Sequence, residues 1–228
     1  MKRIAFCLAV LTTGLYAGDG KPGAPLGLYL KFQWEPSESA RAMLEREVDS
    51  ILAPLGFAAR WREITDTRQE AWPTLAVLEF SGHCDGDGRT PARGFQSGAL
   101  GWTHVSDGKI LPFAGIDCDR IAAFVENGLD TEPVLFRARS FERAVARVVA
   151  HELYHVIAQT SEHGESGVAR AEFTARELLS DNFHFAGNQA HVLRHRSEQS
   201  LLRMAASGSA APPSAAVAAP LSAGILPH

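Results

Sequence analysis

The stretch HELYHVIAQTSEHG, residues 151–164, determines how the rest of the sequence is interpreted. It carries two histidines four positions apart, a glutamate directly after the first, and a third histidine eight positions after the second. Side chains four residues apart lie above one another on one face of an α-helix. His151 and His155 can therefore direct their imidazoles at one zinc ion, and Glu152, about 100° around the helix, can reach a water bound to it. The spacing predicts a helical HExxH site with two metal ligands and a general base.

The helix that carries this motif is predicted from the residues that precede it. RSFERAVARVVAHELYHVIAQT, residues 139–160, is the longest helical pattern in the chain, and Ser140 can cap it. We expect Arg143 and Arg147 on its solvent-facing side. Because the turns before the motif are mostly apolar, the histidines would be buried, where unpaired polar groups are costly. This favours metal ligands over an ordinary helix with solvated histidines.

Two residues compete for the position of the third metal ligand. His163 lies just beyond the helix, and imidazole is a ligand well suited to zinc. Glu177, which is followed by Asp181 four residues later, is placed like the third ligand of thermolysin-like enzymes. However, Glu177 also stands three residues after Thr174, which is the spacing of a helix capping box. We predict that His163 binds the metal and that Glu177 caps a helix.

The N-terminus has the organisation of a secretory signal peptide. Lys2 and Arg3 precede an apolar stretch over residues 4–17, which ends in the small residue Ala17. We therefore predict a signal peptide over residues 1–17, a secreted or periplasmic protein, and no stable membrane anchor after cleavage. The full chain has scattered Lys and Arg residues and a net charge of −4, so nothing indicates a nucleic-acid partner.

Export changes how the cysteines are interpreted. Removal of the signal peptide takes away Cys7 and leaves Cys84 and Cys118. An even pair of cysteines in an oxidising compartment predicts a disulfide. The alternative, two free or metal-binding thiols, is disfavoured because the sequence holds no CxxC pair.

Residues 18–203 are predicted to form one α+β domain. The order of apolar and alternating stretches predicts a mixed sheet with helices packed on it, including a hairpin around Ser106-Asp107-Gly108. The strands expected before the hairpin are residues 26–34, 57–64 and 74–82, and helices are expected to begin near residues 37, 120, 139, 174 and 188. Residues 101–104 are expected to form the upper rim of a cleft. The Ala/Ser/Pro-rich residues 204–228 are expected to be disordered.

Two stretches resemble a known family. HELYHVIAQTSEHGESGVARAEFTARELL, residues 151–179, is similar to the active-site segment of a group of secreted bacterial zinc metalloproteases. In that group HELGH is followed by a spacer, a histidine, a G-[IV]-M turn and an aromatic residue that opens another helix. GALGWTHVSDGKILPFAGIDCDRI, residues 98–121, resembles the part of these proteins that precedes the active-site helix. The resemblance extends over residues 99–194.

The resemblance implies a metzincin-like fold, with a small mixed twisted sheet, an active-site helix beneath it and a helical C-terminal subdomain. It also implies a Zn²⁺ cofactor, with His151, His155 and His163 as ligands and Glu152 as the general base. Two features depart from the pattern. The third histidine comes eight residues after the second, where metzincins have six, and Ala169 stands at the position of the methionine that lies beneath the metal.

We interpret the chain as a secreted zinc-dependent metallopeptidase that hydrolyses peptide bonds of a peptide or protein substrate. In this interpretation Glu152 activates a zinc-bound water. The alternative is a non-catalytic exported zinc-binding domain with a structural or partner-binding role. A structural zinc site normally has four protein ligands, usually including cysteines, whereas three histidines leave one position open, as catalysis requires.

Overall fold

The computed structural model of the chain describes residues 23–68, 70–86, 98–129 and 133–209. Within these ranges the chain forms a five-stranded mixed sheet with helices packed against it. The predicted α+β class is therefore confirmed. The predicted signal peptide over residues 1–17 lies outside the described residues.

The sheet combines four parallel strands with one antiparallel strand at its edge. Its strands are β1 (Ala24–Phe32), β2 (Phe57–Glu63), β3 (Thr74–Ser81), β4 (Gly101–Ser106) and β5 (Lys109–Asp117). Their order is β2-β1-β3-β5-β4, and β4 runs antiparallel to β5. The strands predicted before the hairpin are confirmed to within two residues.

The predicted hairpin joins β4 to β5. Asp107 and Gly108 both have positive φ values, 50° and 73°. Two successive residues with positive φ form a type I′ turn, whose twist matches that of the strands it joins, and Asp-Gly is a preferred pair at this turn. The turn therefore sets β4 antiparallel to β5 at the edge of the sheet.

Five α-helices occur in the described ranges. They are α1 (Glu38–Leu52), α2 (Cys118–Leu129), α3 (Val134–Ala158), α4 (Ala175–Leu179) and α5 (Gly187–Ser209). α1 begins where the sequence predicts a helix start, and Ser37 caps it: the Ser37 Oγ accepts a hydrogen bond from the Ala40 amide at 3.3 Å. None of the helices in this part of the chain is long and apolar enough to cross a membrane.

The start of α3 differs from the prediction. The helix begins at Val134 rather than at residue 139, and Ser140 lies buried inside it instead of capping it. The added turn contains Leu, Arg and Ala, which favour helix. The N-cap residue is Pro133, which suits the entry to a helix because its φ is fixed and it cannot donate a hydrogen bond.

Arg147 is not on a solvent-facing side of α3, and that expectation was wrong. Its side chain is only 3% exposed. Its Nε donates to Glu47 Oε1 at 2.8 Å, and its Nη1 donates to the Leu178 carbonyl at 2.6 Å. Glu47 lies on α1 and Leu178 on α4, so both helices cover this side of α3. The ion pair and the hydrogen bond offset the cost of burying the charge.

The other corrections concern helix ends. α2 begins at Cys118, earlier than predicted, and α5 continues to Ser209. Residues 204–209 are therefore helical, whereas a disordered tail from Met204 was expected. Met and Ala at the start of this segment favour continuation of the helix. Residues 210–228 lie outside the described residues.

α3 packs beneath the half of the sheet that contains β4. It contacts β3, β4 and β5, while α1 contacts both α3 and β2. Leu78 of β3, Ile116 of β5 and Leu153 of α3 are each fully buried. At the edge of the sheet, Gly101 of β4 lies so close to α3 that a Cβ there would come within 2.8 Å of Val148 Cγ1. This close approach sets β4 directly above the HExxH motif.

The predicted disulfide between Cys84 and Cys118 is present. It joins the loop after β3 to the first residue of α2, across a sequence separation of 34 residues. Both cysteines are buried. A cross-link that closes a loop of this length stabilises the fold by roughly 3–4 kcal/mol in the chain-entropy account.

Candidate metal centre

His151 and His155 lie one turn apart near the end of α3, and both are buried. Nδ1 of His151 bonds to the Val168 carbonyl at 2.8 Å, and Nδ1 of His155 bonds to the Thr160 carbonyl at 2.7 Å. A carbonyl oxygen can only accept, so each neutral ring carries its proton on Nδ1 and a lone pair on Nε2. Metal-ligating histidines are usually held in this way, with the non-ligating nitrogen bonded to the protein.

The Nε2 atoms of His151 and His155 face each other at 3.2 Å. In the tautomers fixed by the carbonyls, neither atom can donate to the other, so two lone pairs repel at this distance. Burial, together with smaller effects of the nearby His155 and His163, lowers the pKa of His151 to about 4, and the hydrogen bond to the Val168 carbonyl partly opposes this shift. Burial also lowers the pKa of His155. Both rings are neutral near pH 7, which is the state that a metal requires.

His163 approaches this pair from the loop after α3. The helix ends at Ala158, and Gln159 adopts a left-handed conformation, with φ of 57°, that turns the chain. The His163 ring lies nearly parallel to that of His151, with centroids 5.3 Å apart, and edge-on to that of His155 at 4.8 Å. One ligand atom from each of the three histidines lies within 4.8 Å of the others. His163 is exposed, so it completes the group from the solvent side.

Glu177, the rival third ligand, is engaged elsewhere. Its carboxylate accepts hydrogen bonds from the Thr174 amide at 2.7 Å and the Thr174 hydroxyl at 2.8 Å, and it pairs with Arg170. The bonds from Thr174 are the main reason that the pKa of Glu177 is lowered. The prediction that Glu177 caps α4 is confirmed. Among the described residues, no other cluster of three or more His, Cys, Asp or Glu side chains is placed to hold a metal ion.

Glu152 is buried next to His151. Its Oε2 accepts a hydrogen bond from Thr103 Oγ1, on β4, at 2.7 Å. Burial raises the pKa of Glu152 to about 7, and the Thr103 hydrogen bond partly opposes this rise. A carboxyl group with a pKa near 7 can both accept and release a proton at neutral pH.

A cavity of about 560 Å³ opens beside the histidines and Glu152. Its lining includes residues of β4, of α3 and of the segment 161–173. Phe173 packs edge-on against the His151 ring, with centroids 5.3 Å apart. The upper rim expected over residues 101–104 is confirmed for residues 101–103, which line the cavity.

The turn before α4 lies against the motif helix. Its Val168 carbonyl accepts the hydrogen bond from His151, and the Gly164 amide donates to the Ala169 carbonyl at 2.7 Å. Ala169 is 1% exposed and stands where the resembling proteins carry methionine. The turn supports His151 through its main chain, so this support does not depend on the side chain at position 169.

Sequence reasoning missed the groups that orient the motif. Thr103 could have been found from strand alternation, because Gly101 and Thr103 share one face of β4 and precede a helix rich in apolar residues. The carbonyls of Thr160 and Val168 could not have been found in this way. Their position depends on how the loop folds back onto α3, which local sequence patterns do not encode.

No described protein family and no curated protein sequence matches the chain. A crystal structure of an archaemetzincin from Methanopyrus kandleri is similar to it, with a TM-score of 0.43 and 13% sequence identity. The similarity covers 78% of this chain and 97% of that chain. Values this low establish neither a shared activity nor a shared ligand. The function is therefore inferred from the chemistry of the site itself.

Proposed function

We propose that the chain is a zinc-dependent metallopeptidase that hydrolyses peptide bonds of a peptide or protein substrate. The observation that carries the proposal is the pair of buried imidazoles whose Nε2 atoms face each other at 3.2 Å. Zinc–nitrogen bonds of about 2.0–2.1 Å at tetrahedral angles put two ligand nitrogens roughly 3.3 Å apart. The spacing of His151 and His155 thus fits a shared zinc ion, which would also remove the repulsion between their lone pairs.

The donor set favours a catalytic site over a structural one. His151, His155 and His163 supply three imidazoles, while the two cysteines of the described residues are joined in a disulfide. Structural zinc sites are usually closed by four protein ligands, often cysteines, whereas catalytic sites keep one position for water or substrate. When bound in such a site, zinc polarises a carbonyl oxygen and lowers the pKa of water.

Glu152 is the proposed general base. It lines the cavity beside the histidines, and burial brings its pKa to about 7. Its carboxylate can accept a proton from the attacking water and then deliver that proton to the amine that leaves when the peptide bond breaks. The fixed carbonyl bonds of His151 and His155 keep both imidazoles oriented during these steps.

The shape of the cleft suits an extended chain. In the described ranges β4 pairs only with β5, so the other edge of β4 can form main-chain hydrogen bonds with a peptide. The residues that line the cavity include four from β4 together with Glu152 and the three histidines. A peptide bound there would pass the reacting groups with its backbone aligned.

Export is part of the proposal. It rests on the basic and apolar pattern of residues 1–17. The disulfide between Cys84 and Cys118 is consistent with an oxidising compartment.

The test compares the purified wild-type protein with Glu152→Gln. Both are analysed for bound zinc and assayed on unstructured protein substrates, with chelator and after zinc is restored. We expect zinc in both, and hydrolysis that is sensitive to chelator in the wild type alone. If both proteins hold zinc and neither hydrolyses any substrate, the chain is instead a non-catalytic zinc-binding domain.

A further inference from the structure

We propose that Gly101 and Thr103 of β4 position the carboxylate of Glu152, which makes β4 a part of the catalytic apparatus as well as a wall of the cleft. This inference rests on the proposed function, because it concerns the orientation of the general base. Gly101 and Thr103 do not contact the reacting atoms in this account. They act through Glu152.

The first observation is the hydrogen bond from Thr103. Its Oγ1 lies 2.7 Å from Glu152 Oε2 and 3.3 Å from the Glu152 carbonyl oxygen. The last torsion of a glutamate side chain is broad and weakly restrained. A hydroxyl that donates to one carboxylate oxygen therefore selects the rotation of the whole carboxylate group.

The second observation is the space at Gly101. A Cβ at this position would lie 2.9 Å from Glu152 Oε1, 3.0 Å from Glu152 Cγ and 2.8 Å from Val148 Cγ1. Gly101 lies within a regular strand and not in the left-handed region, so what the position requires is space rather than unusual backbone torsions. The absence of a side chain lets the Glu152 carboxylate lie against β4.

β4 itself is held firmly at these two positions. Thr103 is opposite Ala114 and Gly101 is opposite Ile116 in the ladder with β5, and both partners are fully buried. The ladder is irregular only beyond Thr103, between it and Val105. Gly101 and Thr103 therefore present a fixed surface to Glu152.

The kinetic test uses Thr103→Val, which keeps the shape of the side chain and removes the hydroxyl, and Thr103→Ser, which restores it. We expect Thr103→Val to lower kcat roughly 10- to 100-fold with little change in KM and in zinc content, since a small misplacement of a catalytic group has effects of this size. Thr103→Ser should recover most of kcat. Thr65→Val, at an exposed position after β2 at the opposite edge of the sheet, is the matched control and should behave as wild type. A Thr103→Val protein with unchanged kcat would overturn the proposal.

Gly101→Ala gives an independent measure, because it adds bulk against the carboxylate without removing the hydroxyl. We expect a loss of kcat at least as large as that of Thr103→Val. An active Gly101→Ala protein with wild-type kcat would contradict the assigned role of this glycine.

A double-mutant cycle separates this proposal from the proposed function, because it needs no activity. Thr103→Val should lower the Tm of the chelator-treated protein by roughly 2–4 °C, the shift expected for one lost hydrogen bond in a domain of this size. The same substitution should lower Tm less in a Glu152→Ala background. Equal shifts in both backgrounds would overturn the contact on which the inference rests. If the two shifts differ but the wild-type protein has no peptidase activity, the proposed function and the role of Thr103 in positioning a general base are overturned, while the contact itself is supported.

Discussion

The Nε2 atoms of His151 and His155 lie 3.2 Å apart, although neither can donate a hydrogen bond to the other. The carbonyls of Val168 and Thr160 fix both rings in this arrangement through their Nδ1 atoms. The protein thus holds two lone pairs together at an electrostatic cost. A cation that binds between the two nitrogens removes this cost. Metal binding should therefore stabilise the folded protein strongly.

Zinc should therefore raise the Tm of the chelated protein. At a free zinc concentration 100-fold above its Kd, the linkage contributes about 2.7 kcal/mol, which corresponds to a rise of roughly 5–10 °C. Differential scanning calorimetry with and without zinc measures this shift. His151→Ala should abolish it, whereas His195→Ala, a substitution on the exposed face of α5, should leave it unchanged. A full zinc-induced shift in His151→Ala would show that the metal binds elsewhere.

Arg147 should be among the most costly residues to truncate. Arg147→Ala leaves Glu47 without its partner on α3 and the Leu178 carbonyl without its donor. Breaking a buried pair from one side typically costs about 3–5 kcal/mol, and urea unfolding should show a loss of this order. Arg194→Ala, on the exposed surface of α5, is the control and should change the free energy of unfolding by no more than about 0.5 kcal/mol. A similar small effect for Arg147→Ala would contradict the structural role given to this ion pair.

The disulfide between Cys84 and Cys118 should be fully formed in protein produced without residues 1–17. Thiol titration of denatured, unreduced protein that begins at residue 18 should detect no free thiol, and titration after reduction should detect both. Replacing both cysteines by serine should lower the free energy of unfolding by roughly 3–4 kcal/mol. Free thiols before reduction would be incompatible with the pairing.

The contribution of Glu177 to stability should depend on pH. Hydrogen bonds from Thr174 lower its pKa in the folded state below the ordinary value of 4.5, so the ionised form stabilises the fold. The stabilisation is present above pH 4.5 and is lost as the pH falls through the folded-state pKa. In chelator, Glu177→Gln should thus lower Tm near pH 7, by an amount equivalent to about 1 kcal/mol or less. The difference from wild type should shrink in acid, and a constant difference would argue against the ionised capping box.

Much of the fold is encoded locally. The alternating residues of β1, the apolar run of β3, the Asp107-Gly108 turn and the Thr174–Glu177 capping box are each determined by residues a few positions apart. Each is found where the sequence predicts it. The motif histidines belong to the same class, because helical spacing alone places His151 and His155 on one face.

The failures have a common cause. The sequence predicts that Arg147 faces solvent, because it is charged and lies one helical turn after Arg143. In the structure α1 and α4, which are distant in the sequence, pack against this side of α3 and bury Arg147. Likewise, strand alternation places Thr103 on one face of β4 with Gly101, but it does not identify Glu152, 49 residues further along the chain, as the partner of Thr103. Interactions of this kind follow from packing between elements, and no local pattern specifies them.

The central claim is that His151, His155 and His163 bind one zinc ion and leave one coordination position open. X-ray absorption at the zinc edge measures this directly in the zinc-loaded wild type, His163→Ala and Glu177→Ala. We predict three imidazole nitrogens and one solvent oxygen at about 2.0–2.1 Å in the wild type and in Glu177→Ala, and one imidazole fewer in His163→Ala. A spectrum that changes in Glu177→Ala and not in His163→Ala, or one that requires a sulfur ligand or four protein ligands, would contradict the account.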